Sequence, residues 1–230
     1  MKVQRFDLSR EPVQLADRKW NPRRARDPKD IVGVVLHVWA SGVGTTPQNR
    51  RRYGEPEALA RRGLEAPYNL SAGVSRHQGV PVVGYCQPVE RYTHASDAAC
   101  GHWLSVGVMG AFPFTEDERN PLRHTPVTDA LRAAVDEALG WALEILAPLQ
   151  GARSKPLRLI THRQAINGKG DHAACPGEAV VAMACASEWV TSGLIVPEPD
   201  TVLVPEWSRP WPDAWRRHLH GPSLALSDVA

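Results

Sequence analysis

Residues 160–178 read I-T-H-R-Q-A-I-N-G-K-G-D-H-A-A-C-P-G-E, and a short apolar run at 157–160 feeds straight into them. That run has strand composition, and His162 follows it directly. A glycine-punctuated loop leads to Cys175-Pro176-Gly177, and a new apolar helical run opens at Glu178. A histidine at a strand end and a thiol 13 residues later (175 − 162) meet at one point if the loop folds back. Imidazole nitrogen and thiolate sulfur both suit zinc. The best third ligand is His37, in I-V-G-V-V-L-H-V-W-A at 31–40, which also closes an apolar, β-branched run. Three protein ligands with an open fourth position is the usual way catalytic zinc is held. Two other readings stay open at this point. Cys175 with His162 or His172 has the parts of a thiol hydrolase, and Cys175 alone reads as a small buried packing residue.

Working outward, residues 31–39 form a buried strand by their continuous aliphatic content. A glycine-containing loop at 41–47 matches no phosphate-binding fingerprint. Residues 48–62 have helical composition with an arginine-rich outer face. Two short strands at 68–74 and 80–86 flank a turn at 75–79, and a further strand spans 104–109. Between 128 and 146 apolar residues recur at steps of three and four, which predicts the clearest helix of the chain, with Thr128 as N-cap and no capping box. A last strand at 157–160 and a helix over 178–190 follow. The order β-α-β-β-β-α-β-α predicts one α/β domain over residues 28–192. An Arg/Pro-rich arm, 1–27, precedes it, with its charge run as a solvated face. A Pro/Trp-rich extension, 193–230, follows, without helical period.

Composition narrows the function classes. The 230 residues are ample for one core. A net charge of +2 is too mild to argue for nucleic acid, and no apolar stretch is long enough to span a membrane. The first 15 residues lack the apolar core of a secretory signal. Four cysteines without a C-x-x-C pair point to reduced thiols rather than a disulfide scaffold. The zinc-protease and zinc-deaminase signatures are absent, as is a serine nucleophile elbow.

Several short motifs occur in one order: Leu36-His37-Val38-Trp39-Ala40, Pro67-Tyr68-Asn69-Leu70, His94-Ala95, Ser105-Val106-Gly107-Val108, and Thr161-His162-Arg163 with Cys175-Pro176-Gly177. This ordered set resembles the zinc-dependent N-acetylmuramoyl-L-alanine amidases of the type-2 amidase and peptidoglycan recognition protein family, which includes phage amidase-type lysozymes. The resemblance covers roughly residues 30–190. It implies a mixed central β-sheet flanked by helices, with zinc at one end of a groove. His37, His162 and Cys175 would be the zinc ligands, and Tyr68 would assist catalysis. Asn69 and His94 are assigned to substrate contact, as is Trp39, for which core packing is the equally weighted alternative. The implied reaction is hydrolysis of the amide between N-acetylmuramic acid and L-alanine in peptidoglycan or muropeptides.

The chain departs from the family at two positions. Phage members carry a lysine where this chain has Ala173, and cytosolic recycling members a glutamate where it has Met109. His172 is assigned as the second catalytic group, ahead of Asp171 and Lys169, because an unperturbed imidazole titrates closest to neutrality. The expected protein is a monomer made in the cytoplasm, with access to the wall through phage lysis or dedicated export. A non-catalytic peptidoglycan-binding module and a Cys175 hydrolase are the two alternatives.

Overall fold

The computed structural model describes residues 1–11, 25–39, 55–65, 68–75, 77–91, 93, 102–110, 112, 125–149, 155–165 and 175–198. Seven strands form one sheet: β1 Gln4–Asp7, β2 Gly33–Trp39, β3 Leu70–Val74, β4 Pro81–Tyr85, β5 Trp103–Met109, β6 Leu157–Thr161 and β7 Ile195–Pro197. Their spatial order is β1-β4-β3-β5-β2-β6-β7. β3 and β4 form an antiparallel hairpin, and every other neighbouring pair is parallel, so the sheet is mixed. The hairpin turn closes through Gly79, which at φ 62 occupies the left-handed region that favours glycine.

Helices cover both faces of this sheet. β2 alternates between them. Val34, Leu36 and Val38 enter the main core beneath the helix Asp129–Leu146, while Val35 packs with Trp103 and Ile160 on the opposite side. This two-sided burial explains why β2 is apolar at every position but His37. The long helix buries Leu131, Leu139 and Leu146 almost completely, each contributing about 1.5–3 kcal/mol. Its N-cap is Thr128, whose Oγ1 accepts from the Leu131 N–H at 3.2 Å. The helix Pro56–Arg62 carries Leu59 and Ala60 into a second cluster with Val82 and Cys86.

Several features differ from the sequence expectation, including strand β7 at the start of the expected C-terminal extension. The N-terminal arm supplies an edge strand: β1 pairs with β4, and Arg5 forms ion pairs with Glu137 and Glu144 of the long helix. The charge run at 18–30 is not wholly solvated. Arg26 is buried, and its guanidinium donates to Val89 O at 2.7 Å, Trp103 O at 2.6 Å and Asn69 Oδ1 at 3.0 Å. Finally, the helix expected over 178–190 is two helices, Glu178–Cys185 and Glu188–Thr191. Ser187 breaks it, because its Oγ caps the second helix by accepting from the Val190 N–H at 3.3 Å. No helix among the described residues is long and apolar enough to cross a membrane.

Candidate metal centre

β2 and β6 are adjacent and parallel, so their C-terminal ends lie side by side. Leu36 pairs with Thr161, which places His37 and His162 next to each other just beyond that pair. Their ring centroids are 4.4 Å apart. Cys175 stands immediately ahead of the helix Glu178–Cys185. The turn into that helix runs through Gly177 at φ 86, a conformation that a side chain would strain. The Cys175 Sγ then sits on the end of β2, where it accepts from the Val38 N–H at 3.4 Å. One ligand atom from each of His37, His162 and Cys175 lies within 4.8 Å of the other two. The three residues are respectively 1%, 7% and 3% exposed.

This donor set fits zinc. Two imidazoles and one thiolate match both its ligand preference and the three-ligand pattern of an open site. Tetrahedral zinc holds such atoms roughly 3.3–3.6 Å apart, so modest side-chain rotations close the triangle. Burial pushes the Cys175 thiol up to about 12, against the opposing pull of the Val38 N–H. Without a cation beside it, Cys175 is therefore a protonated thiol at neutral pH.

Tyr68 completes the cluster. Its ring centroid lies 5.1 Å from that of His37, and its hydroxyl donates to Val38 O at 3.4 Å. Burial, and next the neighbouring Cys175, raise the phenol above its ordinary value, so it stays protonated. The ring reaches this place because β5 carries Gly107 directly opposite His37. A Cβ at Gly107 would fall 2.4 Å from Cδ2 and 2.6 Å from Cε2 of Tyr68. Gly107→Ala is thus expected to cost roughly 1–3 kcal/mol of stability by forcing the ring aside. That cost should shrink when Tyr68 is first replaced by alanine, which a chemical-denaturation double-mutant cycle would read.

No protein-family model and no curated protein matches the sequence. Among solved structures the chain is similar to Drosophila PGRP-LB, at 12% identity and a TM-score of 0.44 over 80% of this chain and 94% of that one. It is also similar to the Ph2119 endolysin of the Thermus scotoductus MAT2119 bacteriophage, at 16% identity and a TM-score of 0.36, covering 79% of this chain and 99% of that one. A third is the endolysin N-acetylmuramoyl-L-alanine amidase LysCS from Clostridium intestinale URNW, at 15% identity and a TM-score of 0.37, covering 77% and 88%.

The remaining sequence-predicted residues fall into two groups. His94 and His172 lie outside the described residues, as do Lys169, Asp171 and Ala173. Trp39 ends β2 opposite Met109, and its side chain is likewise outside the description. Asn69 is described and has no accessible surface to offer a substrate. Its Oδ1 accepts from the Ser105 N–H at 3.1 Å and from Arg26, and its Nδ2 donates to Gln87 O at 3.1 Å. The amide ties β3, β5 and the arm together directly beside Tyr68. Met109 lies one pleat beyond Gly107 on the same face of β5 as the site, and its thioether offers no proton. Sequence reasoning missed the packing role of Gly107 and the burial of Arg26. The first had a signal in the small residue at the centre of an otherwise bulky strand, S-V-G-V-M.

Proposed function

We propose that the chain is a zinc-dependent hydrolase that cleaves the amide between N-acetylmuramic acid and L-alanine in peptidoglycan or muropeptides. The observation that carries this reading is the convergence of His37, His162 and Cys175 at one buried point, with Tyr68 beside them. The substrate class rests on the ordered set of motifs around those residues. Zinc held there supplies Lewis-acid polarisation of a carbonyl and a water acidified to about pKa 7.

The protein's own residues have distinct tasks. His37 and His162 serve as neutral donors, and Cys175 gives up its proton to serve as a thiolate. Tyr68, kept protonated by burial, presents an O–H that can turn from Val38 O to an oxyanion forming at the scissile carbonyl. The leaving amine needs a proton, and His172 is proposed to deliver it, with Asp171 and Lys169 close to it in sequence as substitutes. Asn69 holds Tyr68 in register rather than touching substrate. Trp39 and His94 are proposed to line the substrate cleft.

One observation favours a second reading. Met109 puts a thioether where a cytosolic family member would carry a carboxylate, as suits a peptidoglycan-binding module without turnover. The Cys175 hydrolase is disfavoured, since its thiol is buried and its ionisation suppressed. Digestion of purified muropeptides separates the three. The amidase releases L-alanine-headed peptides, loses activity to a chelator and regains it with added zinc. Binding without release would identify the module. Turnover that survives chelation but falls to thiol alkylation would identify the cysteine hydrolase.

A further inference from the structure

We propose that Gln164 is a positioning residue of the metal centre, holding the His162 imidazole in place through a reciprocal cap across the junction of β6 and the helix His162–Ala165. The inference rests on the reading of His37, His162 and Cys175 as metal ligands. His162 is the first residue of that helix and directly follows the last residue of β6. A ligand at such a junction is only as well placed as the joint itself.

Three hydrogen bonds bracket it. The Gln164 Oε1 accepts from the Thr161 N–H at 2.7 Å and from the Thr161 hydroxyl at 3.1 Å, while the Gln164 N–H donates to Thr161 Oγ1 at 3.2 Å. This is the reciprocal pattern of a capping box, with threonine at the cap and glutamine three residues on. The sheet explains why the box is needed. Along β6 the N–H groups alternate between neighbours, with Leu157 donating to Leu194 O in β7's direction and Arg158 to Val32 O in β2's. Thr161 shares the parity of Leu157. The last β6–β7 pair is Leu159 with Pro197, so Thr161 lies two residues beyond it. Beyond that last registered pair, the acceptor for the Thr161 N–H is the Gln164 side chain. It thereby fixes Thr161 opposite Leu36 and sets the direction in which the next residue, His162, leaves the sheet toward His37. Residues that orient a metal-binding histidine typically change metal affinity 10–100-fold when lost.

The test is competitive zinc titration of the wild type, Gln164→Ala and Gln164→Glu, with cobalt(II) absorption as a second readout of ligand geometry. Gln164→Ala should bind zinc about 10–100-fold more weakly and show an altered cobalt spectrum. Gln164→Glu restores an acceptor of the same reach and should stay within about threefold of wild type. A Gln164→Ala protein with wild-type affinity and spectrum would overturn the proposal, and so would a Gln164→Glu protein as weak as Gln164→Ala. A wild type that binds no zinc would instead overturn the metal-centre reading beneath it.

Discussion

His37→Ala is expected to leave the protein folded, free of zinc and without measurable turnover. The imidazole is one of three donors that converge there among the described residues, and it stands on an interior strand between β5 and β6. With two donors left, one of them a thiol that burial keeps protonated, the remaining pair cannot hold the ion. Loss of several kcal/mol of transition-state stabilisation corresponds to roughly a 10³-fold fall in rate or more. The fold should survive, because the apolar residues of β2 and the long helix are untouched. Metal analysis, circular dichroism and muropeptide digestion read these three outcomes separately. A variant that kept both its zinc and its rate would remove His37 from the ligand set.

Gly33→Ala should have the largest effect on stability of any single methyl group added to the sheet. A Cβ there would lie 2.1 Å from the Arg158 carbonyl oxygen and 2.7 Å from its carbon. Both are backbone atoms of β6, so no side chain can swing away to relieve the clash. Relief requires parting β2 from β6, the two strands that carry His37 and His162. The expected cost is about 3 kcal/mol, accompanied by weaker zinc binding, since the same displacement separates the two imidazoles. Denaturant unfolding of the zinc-free protein isolates the first effect, and zinc titration under native conditions the second. A change of less than about 0.5 kcal/mol, the range of an ordinary surface substitution, would show that the strands are not held at this spacing in solution.

These two positions also mark what a sequence reader can and cannot see. His37 was legible because it ends a run buried on both faces, and a polar residue closing such a run stands out. His162 and Cys175 were legible for the same reason, each sitting at a boundary between an apolar element and a glycine- or proline-marked loop. The helix Asp129–Leu146 announced itself by period and cap. The edge strands did not. β1, with sequence Q-R-F-D, offers one aromatic residue and, among the described residues, pairs on one side. β7, I-V-P, ends in a proline that a sheet edge tolerates but that reads as tail. Arg26 looked like one more cation in a basic run, and only three-dimensional packing delivers the carbonyls that surround it. The capping box was readable in principle, since Thr161 and Gln164 stand three apart, but the pattern gains meaning only once His162 is known to leave the sheet between them.

The most direct test of the central claim is the metal content of the purified 230-residue chain by mass spectrometry, beside the same measurement on His37→Ala. A zinc centre built from His37, His162 and Cys175 predicts about one zinc per chain in the wild type and none in the variant. A wild-type protein that carries no zinc and takes up none when it is offered would contradict the account.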